Sequence, residues 1–152
     1  MDWEEAISEF KTYLKLEKAL SGNSIEAYMH DIKLLNQFID IKAKKGPLFV
    51  EYSDIKDFLS WVNKIGLNPR SQARIVSGIK AFFKYLEFEE KITKDPSALI
   101  ETPRIGRKLP TVLSVSEIDN LLSAIDLSKS EGQRNKAMLE TLYSCGLRVS
   151  EL

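Results

Sequence analysis

Residues 68–90 of the chain read NPRSQARIVSGIKAFFKYLEFEE and carry a clear helix signal. Asn68 is a favourable N-cap, and Pro69 suits the first helical position, where its missing N–H is not needed. Apolar residues then recur at three- and four-residue steps, which predicts a helix to about Glu90 with one buried face. That face consists of Ile75, Ile79, Phe82, Phe83 and Leu86.

Three more amphipathic helices are predicted before this one. The first ends at Gly22, and the segment Asn23-Ser24-Ile25-Glu26 is a candidate capping box for the second. A loop around Gly46 follows, and Ser53 is expected to cap a third, shorter helix. Their apolar faces are Trp3, Ala6, Ile7, Phe10 and Leu14; then Ile25, Tyr28, Ile32, Leu35, Phe38 and Ile39; then Ile55, Phe58, Leu59 and Val62. Four such helices in about 90 residues can close a small core, and no segment alternates like a strand, so the predicted fold class is all-α.

The chain changes character after the fourth helix. Residues 95–112 are poor in apolar side chains and rich in Pro, Gly and basic residues, which indicates an interdomain linker. Ser114 and Glu117 then form a second candidate capping box. A further helix is expected from about Ser130 to Cys145-Gly146, and another begins near Arg148. The predicted domains are therefore 1–94, a linker over 95–112, and 113–152.

Composition and terminal sequence narrow the class of protein. The chain has 152 residues, of which 43% are hydrophobic and 29% charged, as in a soluble globular protein of one or two small domains. Its longest apolar run is far shorter than the roughly 20 residues that span a bilayer. The acidic start is unlike a secretory signal, and the single Cys145 fits a reducing compartment. We therefore expect a cytoplasmic protein with no membrane partner.

Charge is unevenly distributed along a chain whose net charge is zero. Residues 1–41 carry a net −4, residues 42–112 a net +6 and residues 113–152 a net −2. The middle segment is compatible with a basic face for nucleic acid, although ordinary surface charge explains the same numbers.

No self-contained active site is evident in the sequence. A zinc site or a Cys–His pair needs several ligating or placed residues, and the chain has one Cys and one His. His30 falls within the second helix, far in sequence from Cys145, and no glycine-rich phosphate loop is present. We expect no metal and no cofactor.

Three groups of polar residues are suited to contacting a DNA backbone or base edges. Each group also has an explanation that does not involve DNA: the fourth-helix residues can form a solvated helix face, those of the second helix can cap it, and the linker residues can belong to a flexible tether. The groups are Arg70, Ser71, Gln72, Arg74, Ser77 and Lys80 on the fourth helix; Asn23, Ser24 and Tyr28 at the start of the second; and Arg104, Arg107 and Lys108 in the linker.

The end of the chain resembles a known family. Residues 137–152 read AMLETLYSCGLRVSEL, similar to the first catalytic segment of tyrosine recombinases, whose hallmark is Gly-Leu-Arg-x-Ser-Glu-Leu. The segments around Tyr28-x-x-Asp31, residues 73–86 and residues 95–114 resemble the Xer-like core-binding domain and its linker. The resemblance implies a four-helix SAM-like core-binding domain, a linker and the first helices of a truncated catalytic domain.

The resemblance also implies a role for particular residues. Arg148 matches the first catalytic arginine, which contacts the non-bridging oxygens of the scissile phosphate, and Glu151 one turn later is placed to support it. The family's nucleophilic tyrosine and its other catalytic residues match positions beyond Leu152. We therefore expect this chain alone to be inactive, while its parent cuts and rejoins DNA as a tetramer on two sites through a 3′-phosphotyrosine.

Several functions stay open on the sequence alone. The parent is either an Xer-type enzyme that resolves chromosome dimers or the integrase of a mobile element. The alternatives are a non-catalytic module that occupies DNA sites and a helical protein-interaction domain. The apolar faces around Leu121, Ile125, Met138 and Leu142 also predict self-association or docking against residues 1–90.

Overall fold

A computed structural model describes residues 1–106 and 109–152, and those residues form helices joined by turns and loops, with no strand among them. The chain divides into two compact units, Met1–Gly106 and Arg107–Leu152. The all-α prediction is confirmed.

The first unit contains four helices around one core. They are α1 (Trp3–Leu16), α2 (Gly22–Lys42), α3 (Tyr52–Lys64) and α4 (Pro69–Phe88), with a 3₁₀ turn at Pro47–Phe49 between α2 and α3. Each helix buries its predicted apolar face, and Phe10, Phe58, Phe82 and Phe83 are fully enclosed. Phe10 and Phe82 meet edge to face with ring centroids 5.3 Å apart, so α1 and α4 are joined through the centre of the core.

The predicted start of α4 is confirmed, but two other helix starts were predicted wrongly. Asn68 caps α4, and its side chain accepts from the Arg70 N–H at 2.9 Å. Helix α2 is capped by Ser21 and not by Asn23, and Gly22 is its first residue instead of the end of α1. Spacing along the chain did not distinguish these serines and asparagines, which are all good caps.

Helix α3 begins with a capping box that includes a tertiary ion pair. Its N-cap is Glu51, one position before Tyr52, and the N3 residue Asp54 accepts from the Glu51 N–H at 3.0 Å. The Lys45 ammonium donates to the same Asp54 oxygen at 3.0 Å. Burial raises the pKa of the Asp54 carboxyl, but these hydrogen bonds and the charge of Lys45 outweigh it, and the net pKa is lowered. Ser53, the predicted cap, is the second residue of the helix.

Part of the predicted linker packs on the first unit. Ser97 is fully buried, with its N–H and hydroxyl both bonded to Asp95 at 2.7 Å. Ile100 belongs to the same hydrophobic core as α1–α4. The first residues of the segment predicted as a linker over 95–112 therefore form a structured extension of the first unit.

The second unit contains α5 (Val115–Ser123), α6 (Ser130–Cys145) and a 3₁₀ turn at Val149–Glu151. The Ser114–Glu117 capping box is confirmed, and Gly146 ends α6 in a left-handed conformation with φ of 62°. Neither helix buries an apolar side chain. Their apolar residues instead line a cleft of about 250 Å³, formed by Leu113, Ile118, Leu121, Leu122, Leu139, Leu142 and Tyr143.

Candidate nucleic-acid interface

Helices α2 and α4 pack closely because α4 has a glycine at their contact. Gly78 is buried, and a Cβ atom there would lie 3.0 Å from Asp31 Oδ2 and 3.1 Å from Asp31 Cβ. A larger residue would therefore press against the side chain of α2. The glycine allows the Asp31 carboxylate to occupy the space between the two helices.

Several of the predicted site residues meet in a cleft between these helices. The cleft has a volume of about 210 Å³ and is lined by Ser24, Ala27, Tyr28, Asp31, Arg74 and Ser77. Four of these six, Ser24, Tyr28, Arg74 and Ser77, were predicted from sequence as DNA contacts. We refer to it as the α2–α4 cleft.

Arg74 is bound to α2 at one side of this cleft. Its Nη1 donates to Asp31 Oδ2 at 2.8 Å and to the Ala27 carbonyl at 3.2 Å. The Arg74 side chain is 46% exposed, whereas that of its partner Asp31 is 1% exposed. The ion pair thus joins a half-exposed cation to a buried carboxylate.

The carboxylate of Asp31 is only partly satisfied. Oδ1 is buried and has no hydrogen-bond partner among the described residues. Burial raises the pKa of Asp31, and Arg74 and, to a lesser extent, His30 oppose that effect without cancelling it. The destabilisation of the charged carboxylate by burial is therefore larger than its stabilisation by Arg74.

An exposed polar line runs along α4 beside the cleft. Arg70, Ser77 and Lys84 are spaced by seven residues, which places them on one face of a helix, and all three are exposed. We call these residues the α4 stripe. Lys84 was not among the residues predicted from sequence, although its seven-residue spacing from Ser77 is a signal that identifies it.

Other predicted residues of α4 are placed differently. Lys80 is six residues from Arg74, which puts it about 120° away around the helix axis; it is half-buried. Gln72 donates through Nε2 to the Leu67 carbonyl at 2.7 Å and holds the turn before the helix. Ser71 is half-buried. Only part of the predicted set therefore shares one surface.

The start of α2 presents small polar groups. The Ser24 N–H donates to the Ser21 hydroxyl at 3.3 Å, and the two hydroxyls lie 2.9 Å apart. Asn23 is exposed in the first helical turn. Tyr28 is half-buried and packs edge to face on Phe10 at 6.3 Å between centroids, so its ring is part of the core as well as of the cleft wall.

The remaining predicted residues belong to the linker segment and to the second unit. Arg104 is exposed, whereas Arg107 and Lys108 lie outside the described residues. In the second unit, Arg148 Nη1 contacts Glu151 Oε1 at 3.1 Å, and the Arg148 N–H donates to Glu151 Oε2 at 2.8 Å. The Arg148 side chain is 82% exposed, so this pair leaves most of the guanidinium accessible.

Neither a metal-binding cluster nor a membrane-spanning helix is found within the described residues. No group of His, Cys, Asp or Glu side chains there is arranged to hold a metal ion. No described helix is both long enough and apolar enough to cross a bilayer.

Comparisons with known proteins give these features a family context. Residues 7–90 match the family described as phage integrase, N-terminal SAM-like domain. The tyrosine recombinase XerD of Staphylococcus saprophyticus is 40% identical over 146 residues, which cover 96% of this chain and 50% of the relative. The tyrosine recombinase XerD of Pseudomonas putida is 41% identical over 146 residues, which cover 96% of this chain and 49% of the relative. The chain thus spans about half the length of these curated relatives.

A solved structure supports the same fold. The integrase from mycobacterium phage Brujita aligns with a TM-score of 0.60 at 19% identity, covering 95% of this chain and 46% of that one. The family match extends over more than half of the chain, from α1 to the end of α4. This chain therefore belongs to the tyrosine recombinase (phage integrase) family, and residues 7–90 are its N-terminal SAM-like domain.

Proposed function

We propose that this chain is the part of a site-specific tyrosine recombinase that binds duplex DNA, and that it does so through the α4 stripe and the α2–α4 cleft. The observation that supports this most directly is the exposed line of Arg70, Ser77 and Lys84 beside the half-exposed guanidinium of Arg74. The guanidinium and ammonium groups on this helix face can donate hydrogen bonds to DNA phosphates and base edges, whereas the Ser77 hydroxyl already donates to the Ala73 carbonyl at 2.9 Å.

The dimensions and charge of this surface suit a duplex. The major groove admits one α-helix, and α4 is 20 residues long with its apolar face turned into the core. Salt-dependent release of counterions from phosphates would supply most of the affinity. Hydroxyl and amide groups at the start of α2 add short-range donors near the same cleft.

In the parent protein, the proposed reaction is strand breakage and rejoining through a 3′-phosphotyrosine. Arg148 is the residue of this chain proposed to contact the non-bridging phosphate oxygens, and its pairing with Glu151 supports that role. Resolution of chromosome dimers in the cytoplasm is favoured over mobile-element integration, because relatives at about 40% identity are XerD recombinases. The proposed assembly is a tetramer on two DNA sites.

A salt titration of DNA binding tests the proposed interface. Fluorescence anisotropy would compare the unmodified chain with an Arg70→Gln/Lys84→Gln variant on a duplex of random sequence. Weaker binding is expected, with the slope of log affinity against log salt reduced by about one per lost phosphate contact. Arg74 is left intact here because its removal would strand the buried Asp31 charge.

A matched control separates the α4 stripe from general charge. Lys11 of α1 and Lys56 of α3 are both exposed, so Lys11→Gln/Lys56→Gln removes the same charge from other helices. If both double variants lose affinity equally, the α4 stripe is not the interface. Absence of binding by the unmodified chain at low salt would instead favour a protein-interaction domain.

We also propose that the second unit self-associates through its apolar cleft between α5 and α6. In this cleft, Leu121 is 46% exposed, and nearby Met138 is 42% exposed. Covering such side chains releases water and is favourable. Sedimentation velocity across a concentration series is expected to show dimers that Leu121→Lys abolishes; a monomer at every concentration would contradict this.

A further inference from the structure

The donors of Arg74 are divided into two groups by its contacts. A guanidinium carries five N–H donors in a plane. The two on Nη1 are directed inward, to Asp31 Oδ2 and the Ala27 carbonyl. The three on Nε and Nη2 make no hydrogen bond to any residue that the structure describes.

The outward group is the part that recognises anions. Nε and Nη2 form the side-on fork of a guanidinium, whose two parallel N–H bonds match two phosphate oxygens or the O6 and N7 atoms of guanine. With Nη1 held by α2, this fork has a fixed direction at the α2–α4 cleft. A long exposed side chain would otherwise lose rotamer freedom on binding, which weakens affinity.

The residue that holds Nη1 is itself tightly confined. Asp31 is 1% exposed, and its Oδ2 lies so close to Gly78 that a Cβ added there would be 3.0 Å away. The carboxylate therefore has little room to rotate. Because it is held between two packed helices, it transmits their fixed geometry to the guanidinium.

Stability and long-range electrostatics both oppose a carboxylate at this position. Its Oδ1 has no hydrogen-bond partner in the described part of the chain, and burial raises its pKa despite the adjacent arginine, so the ionised form is costly. A negative charge next to a DNA-binding face also reduces attraction to phosphate. A favourable short-range interaction of Asp31 is needed to offset both the cost of burying the charge and its repulsion of phosphate.

We infer that Asp31 is a positioning residue for DNA binding: it holds Arg74 by Nη1 so that the Nε–Nη2 fork is preoriented to grip a phosphate or a guanine edge. This inference rests on the proposed DNA-binding function and adds to it. Asp31 acts only through Arg74 and makes no contact with DNA. Gly78 provides the clearance that keeps the carboxylate in place.

A double-mutant cycle tests this mechanism. DNA affinity is measured by anisotropy for the unmodified chain, Asp31→Asn, Arg74→Gln and the double variant, at a temperature where melting curves show all four folded. Asp31→Asn is expected to weaken binding roughly three- to tenfold with Arg74 present, as befits part of one charge-assisted hydrogen bond. In the Arg74→Gln background its effect is expected to be less than about twofold.

The direction of the change in DNA affinity distinguishes the positioning of Arg74 from the general effect of removing a negative charge. Glu26→Gln removes an exposed carboxylate from the same helix without touching Arg74, so it changes the net charge equally. Glu26→Gln is expected to leave affinity unchanged or slightly improved. The inference is overturned if Asp31→Asn behaves like Glu26→Gln, or if it weakens binding equally in both Arg74 backgrounds.

The rigidity of the Arg74 side chain can be measured in the absence of DNA. The ¹⁵N relaxation order parameter of Arg74 Nε reports how firmly the fork is held on the ps–ns timescale. It is expected to be high in the unmodified chain and to fall in Asp31→Asn and in Gly78→Ala. An unchanged order parameter would refute positioning, whereas a drop without any DNA binding would refute only the proposed function.

Discussion

At the residue scale, the buried carboxylate of Asp31 has a measurable pH signature. Its folded-state pKa is raised by burial above the ordinary value of 3.8. The folded chain then holds this proton to higher pH than the unfolded chain. The resulting stability is complete below the unfolded pKa and is lost as pH rises through the folded pKa.

This sign gives a prediction for the Asp31→Asn variant. Asn does not titrate. As pH falls from neutral towards about 4, the free energy of unfolding of the unmodified chain should therefore increase relative to that of the variant. Urea denaturation at several pH values measures the difference. A difference that stays constant across that range would show that burial does not control this carboxyl.

Gly78 gives a second prediction at this scale. Alanine is normally favoured over glycine inside a helix by about 1 kcal/mol. Here the added Cβ would meet Asp31 Oδ2 at 3.0 Å, so Gly78→Ala should instead destabilise the protein by roughly 1–2 kcal/mol through overpacking. Chemical denaturation measures this change.

Gly22 is the matched control for that substitution. A Cβ at Gly22 would meet nothing within 4 Å, and Gly22 also lies in a helix. Gly22→Ala should therefore leave the protein equally stable or more stable. A stabilising effect of Gly78→Ala would contradict the close approach of α2 to α4 at this glycine.

At the scale of the element, the start of α4 was predictable because its signal is local. Asn68 and Pro69 act on backbone groups within one turn. Asn68→Ala should lower the free energy of unfolding by about 1 kcal/mol, whereas Asn68→Gly should cost only a few tenths. Thermal melts of both variants check this, and equal losses would mean that the side-chain cap is not the cause.

The start of α3 was not predictable because a distant residue decides it. Asp54 bonds both the Glu51 N–H and Lys45, and the Lys45 carbonyl in turn accepts from Trp3 Nε1 at 2.9 Å. Local pattern favoured Ser53 as the cap. The tertiary ion pair instead favours a helix that is capped by Glu51 and begins two positions earlier.

At the scale of the whole molecule, the boundary of the first unit is testable. Ile100 is 7% exposed within the core, while its neighbour Leu99 is 77% exposed. Ile100→Ala should destabilise the protein by about 2–4 kcal/mol, and Leu99→Ala should have little effect. Urea denaturation of both variants distinguishes a packed extension from a free linker, for which the two losses would be similar and small.

Several properties followed from sequence because they depend on neighbours within one or two helical turns. Apolar periodicity located all four helices of the first unit and their buried faces, and cap chemistry located the starts of α4 and α5. The motif around Arg148 and the pattern of residues 73–86 identified the family. These local preferences hold in the folded chain because the tertiary packing favours the same helices.

The composition of the candidate site was decided only by tertiary structure. Residues 31 and 74 lie 43 positions apart, and no periodicity relates them. Their pairing depends on how closely α2 and α4 approach, which in turn depends on the absence of a side chain at Gly78. Sequence therefore indicated which residues are polar and face outward, while packing between helices determined which of them meet and in what orientation.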